Sequence, residues 1–150
     1  MKRSIVVDGT AGKSSAPTRT SQSCFLNKGS VSWLCDKVSK LTLKPSTHQE
    51  PPQVCRYYKG QFYKSHFDAF DLNTGPGREC CFTGGNRVGT VLIYLTDAAT
   101  GGGTYFPKID LRVLPKKGKA LIFFPCTLDG KLDRLALHTG EEADEEKWVS

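Results

Sequence analysis

No apolar run in this 150-residue chain approaches the roughly 20 residues needed to cross a bilayer as a helix. The longest runs, Val91-Leu92-Ile93-Tyr94-Leu95 and Ala120-Leu121-Ile122-Phe123-Phe124, have the length of buried strands. The first residues, Met1-Lys2-Arg3-Ser4-Ile5-Val6-Val7-Asp8, are basic and then apolar. Asp8 ends the stretch before the about 7–15 apolar residues of a signal peptide. No Asn-x-Ser/Thr acceptor is present, and no internal repeat. The six cysteines include no CxxC pair, which argues against a zinc ribbon. They read as structural thiols, with Cys80-Cys81 at a loop or strand edge. The HExxH helix of zinc metalloproteases is absent. Gly9-Thr10-Ala11-Gly12-Lys13-Ser14 imitates a phosphate-binding loop, but Val7 stands where that pattern needs its first glycine.

What is present suits a single globular domain of residues 1–150. Hydrophobic residues make up 38% and charged residues 24%, ordinary for a packed core. The net charge of +6 is spread out, with one dense cluster at Lys116-Lys117-Gly118-Lys119. That cluster reads as a solvated turn before a strand. No aromatic-basic motif accompanies it, so nucleic acid is not an expected partner.

Residues 8–23 are rich in Gly, Ser, Thr and Lys and predict a loop. Val31, Leu34, Val38 and Leu41 repeat at helical spacing, with Ser30 placed to cap and Pro45 beyond the end, so the pattern predicts a helix over 30–41 packed through those four. Short strand-like runs follow at 53–58, 62–68, 87–96, 103–106, 111–114, 119–124, 134–138 and 146–149. Turn signals separate them, including Asn73-Thr74-Gly75-Pro76-Gly77 and Gly101-Gly102-Gly103. Many short strands with one flanking helix predict a mainly β sandwich, barrel or jelly roll, its core over 53–149.

The chain has three histidines: His48, His66 and His138. His66 and Asp68 stand two apart in a strand-like run, so both face one side. His138 ends Arg134-Leu135-Ala136-Leu137-His138, where Arg134, Ala136 and His138 share a face. Two histidines and a carboxylate can occupy one triangular face of an octahedron and leave three positions open. Non-heme iron(II) oxygenases use that arrangement, and zinc is a second possible metal.

The segment Gln53-Val54-Cys55-Arg56-Tyr57-Tyr58-Lys59-Gly60-Gln61-Phe62-Tyr63-Lys64-Ser65-His66-Phe67-Asp68 resembles the catalytic region of the prolyl 4-hydroxylases (alpha subunit-like), which are iron(II)- and 2-oxoglutarate-dependent dioxygenases. The likeness continues through Gly85-Asn86-Arg87-Val88-Gly89-Thr90-Val91-Leu92-Ile93-Tyr94-Leu95, Gly102-Gly103-Thr104-Tyr105-Phe106-Pro107, Pro115 to Phe124, Leu137-His138-Thr139-Gly140 and Lys147-Trp148-Val149. Upstream, Val6-Val7-Asp8 and Arg19-Thr20-Ser21 also fit.

This resemblance implies a double-stranded β-helix, or jelly roll, with iron held at its open end by His66, Asp68 and His138. It implies 2-oxoglutarate as cosubstrate, with Lys147, nine residues after His138, on the distal carboxylate beside Tyr57, and with Tyr94 lining the same pocket. Arg19, Ser21, Glu50, Tyr63 and Arg87 match positions at the peptide site. L-ascorbate is implied as the reductant, a proline-rich peptide as the substrate, and the endoplasmic reticulum or secretory pathway as the compartment. Two features depart from the family. The run Glu141 to Glu146 replaces a Cys-Pro-Val-like stretch, and the chain reads as shortened at both ends, which predicts weak cosubstrate binding. The residues leave other functions open: a zinc or iron hydrolase on the same triad, a non-catalytic or weakly active fold that binds metal or peptide, or a polyanion binder with strong salt dependence.

Overall fold

The computed structural model of the chain describes residues 1–3, 18–82 and 84–150. Two antiparallel sheets form its body. In one, β1 (Lys2–Arg3), β2 (Gln22–Phe25), β3 (Gln53–Tyr57) and β10 (Lys147–Val149) lie in that order. A bridge between Tyr94 and Val149 extends this layer to β5 (Thr90–Ile93), which pairs with β8 (Ala120–Phe123). Ile93 and Ser150 exchange both backbone hydrogen bonds there, at 2.7 and 2.9 Å. The second sheet runs β4 (Tyr63–His66), β9 (His138–Gly140), β6 (Thr104–Phe106), β7 (Leu111–Val113). This is the jelly-roll architecture, and the strands that precede the helix also belong to it.

Alternation along the strands explains how the layers meet. On β5, Leu92 packs into the core while Val91 and Ile93 face out. On β8, Leu121 and Phe123 turn inward and Ala120 outward. The core is Cys55, Tyr57, Tyr94, Ala143 and Val149, with Tyr63, Leu92, Val113 and Leu121 packed against it. Phe123 of the first layer meets Phe106 of the second edge-on, ring centroids 5.2 Å apart.

Helix α1 (Ser32–Thr42) lies outside β5 and β8. Leu34 and Val38 face Val91, Ile93 and Ala120 across a cleft of about 240 Å³. Leu41 was expected to pack but is 62% exposed; Cys35 is the buried residue of this helix. Nor is Ser30 the cap. A 3-10 turn over Lys28–Val31 precedes the helix, and the Asn27 side chain accepts from Gly29 N at its start.

Three further expectations are corrected. Of the predicted 8–23 loop, residues 22 and 23 belong to β2; residues 8–17, with Gly9–Ser14 and Val6-Val7-Asp8, lie outside the described residues. A second helix, α2 (Gly75–Cys81), stands where a turn and an edge thiol pair were expected. Thr74 caps it by accepting from Gly77 N, and Pro76 sits in its first turn, where the missing N–H costs nothing. The run 134–138 is not one strand: Arg134–Ala136 is a 3-10 turn capped by Asp133, and β9 begins at His138.

Val149 is 6% exposed at the join between the two halves of the first layer. Val149→Ala removes two buried carbons and leaves a void, so stability should fall by about 2 kcal/mol. Urea unfolding should show a lower midpoint with an unchanged slope. An unshifted midpoint would mean that β10 does not carry the core.

Candidate metal centre

His66 ends β4, and His138 opens β9. The two are direct partners in the antiparallel register, their ring centroids 4.2 Å apart. Asp68 has left the strand and sits in the bend that follows, so its position is not set by strand alternation. Its Oδ1 still lies 3.5 Å from His66 Nε2 and 3.8 Å from His138 Nε2. One ligand atom from each residue falls within 4.8 Å of the others, a spacing that one ion can bridge. Two imidazoles and a carboxylate suit a divalent first-row metal such as iron(II).

The protons favour metal binding. His66 Nδ1 lies 2.7 Å from the Lys64 carbonyl, and His138 Nδ1 lies 3.0 Å from the Ala136 carbonyl. A carbonyl only accepts, so each Nδ1 carries a hydrogen and each Nε2 is free to offer its lone pair. Burial pushes the His138 imidazolium below its ordinary pKa, which keeps the ring neutral. Burial alone would raise Asp68, but His66, His138 and Thr90 pull its carboxyl down to about 2. The charged ligand form is therefore present across the physiological range. Phe106 and Phe123 pack on the His138 ring at 5.5 and 4.9 Å, and Tyr63 stacks on His66 at 3.5 Å.

Lys147 is 3% exposed. Its Nζ donates to the Gly102 carbonyl at 2.6 Å and stands 4.7 Å from the centre of the Tyr57 ring. Burial lowers its pKa to about 8, against the pull of Glu141. Gly102 has φ +63°, and a Cβ there would come within 3.0 Å of Lys147 Cδ, so a glycine lets the loop close over the lysine. The acidic run that follows β9 is tied down at three places. Glu141 meets Arg112 at 2.8 Å, Glu146 meets Arg56 at 2.6 Å, and Glu145 accepts from Ala99 N.

The remaining candidates divide into two groups. Ser21 is buried and Arg19 half-buried: Arg19 Nε donates to Ser21 Oγ, its guanidinium stands over Tyr63 at 4.9 Å, and burial pushes the Tyr57 hydroxyl up against the pull of the Arg19 charge. Glu50 and Arg87 form an exposed ion pair at 2.7 Å, and Arg87 also donates to the Asp68 carbonyl. Tyr94 is fully buried, with its hydroxyl at 2.8 Å from Thr104 Oγ1 and donating to the Val113 carbonyl. It belongs to the core cluster.

Sequence reasoning passed over Thr90 and Thr104. Thr90 Oγ1 donates to Asp68 Oδ2 at 2.7 Å, and Thr104 is buried against Tyr94. Thr90 shares the period-two face of Leu92 and Tyr94, a signal that was available.

A family model described as the 2OG-Fe(II) oxygenase superfamily matches residues 52–150. Two proteins of Arabidopsis thaliana, probable prolyl 4-hydroxylase 4 and prolyl 4-hydroxylase 2, are each 37% identical to the chain over 174 residues, covering 99% of it. The match takes in 57% and 56% of those proteins, so the chain spans little more than half their length. A solved viral collagen prolyl hydroxylase of Paramecium Bursaria Chlorella virus-1, in complex with 2OG, superposes with a TM-score of 0.71 at 25% identity. That superposition covers 88% of this chain and 76% of the viral one. A Pseudomonas putida prolyl-4-hydroxylase shares the fold, with a TM-score of 0.62 at 18% identity over 90% of this chain and 71% of its own.

Removing one of the three converging side chains should abolish metal binding. His138→Ala should weaken Mn(II) affinity in calorimetric titration by more than the roughly 10–100-fold that outer partners contribute. Affinity equal to the parent's would place the ion elsewhere.

Proposed function

The chain belongs to the 2OG-Fe(II) oxygenase superfamily, and on that premise we propose that residues 1–150 act as an oxygenase domain that hydroxylates prolyl residues in a proline-rich peptide. The convergence of His66, Asp68 and His138 within 4.8 Å carries this reading. Iron(II) held by these three residues would supply the oxidation, in which 2-oxoglutarate and dioxygen give succinate and carbon dioxide, one oxygen atom ending in succinate and the other as a hydroxyl on the prolyl carbon.

The chain's own residues bind, orient and shield. His66 and His138 present Nε2 because their Nδ1 hydrogens are committed to carbonyls. Asp68 supplies the negative charge. Lys147, beside Tyr57, provides a buried ammonium for the distal carboxylate of 2-oxoglutarate, and the Arg19 guanidinium, bonded to Ser21, adds positive charge near Tyr57. The anion would exchange the Gly102 carbonyl contact for a charged one. Phe106 and Phe123 wall the site with apolar surface and exclude water from the reacting centre. Glu50 and Arg87, exposed beside Asp68, together with Tyr63, meet the peptide. A proline-rich peptide holds an extended polyproline shape before it binds, so docking orders little of it. L-ascorbate would serve as the reductant that keeps the metal as iron(II).

The test is succinate formation from 2-oxoglutarate with iron(II), ascorbate and proline-rich peptides, with proline-free peptides as controls. Proline-dependent succinate and a hydroxylated peptide are expected. An iron-loaded chain that forms neither would overturn the proposal.

Lys147 also sets a pH dependence. Its folded pKa of about 8 lies below the ordinary 10.5, so the ammonium is lost as pH rises through 8. Affinity of the Mn(II)-loaded chain for 2-oxoglutarate should therefore be level below about pH 7 and fall above pH 8. The Lys147→Ala variant should bind weakly and without that fall. Parent-like binding by the variant would exclude Lys147 from the cosubstrate site.

A further inference from the structure

Asp68 poses a problem of orientation. His66 and His138 are locked in register on paired strands, but Asp68 lies past the end of β4, in a bend with no strand partner. A free carboxylate in such a position can rotate either oxygen, or neither, toward the histidines. Its contacts to the two Nε2 atoms, at 3.5 and 3.8 Å, are too long to fix it as hydrogen bonds. Among the described residues its closest polar contact is the Thr90 hydroxyl, at 2.7 Å on Oδ2.

Thr90 opens β5, which belongs to the other sheet and is held along its length by β8. A β-branched side chain on a paired strand has little rotational freedom, so the hydroxyl is a fixed donor. With Oδ2 held by Thr90, Oδ1 is the oxygen left facing both histidines. The residues just before Thr90 hold the backbone of the same bend. Asn86 Oδ1 accepts from Phe70 N, and Asn86 Nδ2 donates to the Phe70 carbonyl, both at 2.9 Å. Arg87 donates to the Asp68 carbonyl at 3.2 Å. Asn86, Arg87 and Thr90 thus grip the segment 68–70 at four points from one short stretch of chain.

We propose that Thr90 is the positioning residue of the metal centre, its hydroxyl fixing one oxygen of Asp68 so that the other is presented to the ion, with Asn86 holding the bend in place. This role rests on the metal-site reading above. It assigns the ordering of the carboxylate to the layer opposite the histidines, so the centre is completed only when the two sheets close on each other.

Mn(II) affinity, read from the loss of the free-ion paramagnetic resonance signal, tests this without turnover. Thr90→Val keeps the shape and removes the hydroxyl; affinity should fall about 10–100-fold, the range for lost outer partners of metal ligands. Thr90→Ser restores a hydroxyl and should recover most of the affinity that Thr90→Val loses. Asn86→Ala should weaken binding as well. Thermal unfolding of the metal-free forms of Thr90→Val and Thr90→Ser should be alike. If Thr90→Val binds Mn(II) as tightly as the parent, or if Val and Ser weaken binding equally, the hydroxyl does not orient Asp68. A parent that binds no Mn(II) would sink the metal centre and this role together; a binding parent with an indifferent Thr90→Val sinks only the role of Thr90.

Discussion

His66 and His138 stand opposite each other across the β4–β9 pair, and that register is the constraint on which the rest of the site depends. Side chains alternate between the faces of a strand, so a slip of one residue would send one imidazole to the far side of its sheet. Several contacts hold the two strands together, although their register shifts once between Tyr63 and His66. Ser65 Oγ and Thr139 Oγ1 lie 2.6 Å apart beside the histidines. Tyr63 pairs with Gly140, where a Cβ would approach the Tyr63 Cβ to 3.3 Å, so the small residue lets the strands close. On its other edge β9 pairs with β6 through Thr104 and Tyr105. The strand that carries His138 is therefore fixed from both sides although it is only three residues long.

The second requirement is closure of the first layer around β10. This strand pairs with β3, which places Lys147 beside Tyr57, and joins β5 through Val149 and Ser150. A lysine in that position has little access to water, and burial of an ammonium is costly without a partner. The Gly102 carbonyl supplies one, and glycines with positive φ at 101 and 102 let the loop come close enough. In the acidic run before β10, Glu141 pairs with Arg112 and Glu146 with Arg56, while Ala143 in its middle is buried in the core. The same loop thus joins β9 to β10, with Glu141 and Glu146 each held by an arginine.

Much of this was legible in the residues. The strand positions, the outer helix and the spacing of His66 and Asp68 follow from alternation and helical periodicity, and the resemblance tied distant His138 to them. What was not legible has physical reasons. Arg134, Ala136 and His138 alternate as a strand would, but the Asp133 carboxylate caps Leu135 N and tightens the backbone into a 3-10 turn; only that capping residue distinguished the two. Thr74-Gly75-Pro76 marks a turn and a helix start equally well, and the helix won. Leu41 kept the helical period and lines the same cleft as Leu34 and Val38, yet it stays 62% exposed. Asp68 was placed by strand alternation, whereas the structure holds it by hydrogen bonds from a stretch about twenty residues further on, which no local pattern reveals.

The account stands on one claim: that His66, Asp68 and His138 hold iron(II) in a way that leaves room for a chelating 2-oxo acid. The most direct measurement is the visible absorption of the iron(II)-loaded chain under strict exclusion of oxygen as 2-oxoglutarate is added. A 2-oxo acid that chelates iron(II) through its keto and carboxylate oxygens gives a weak charge-transfer band that neither component shows alone. The account predicts that this band grows and saturates with one iron per chain. Iron that binds with no such band at any 2-oxoglutarate concentration would contradict it.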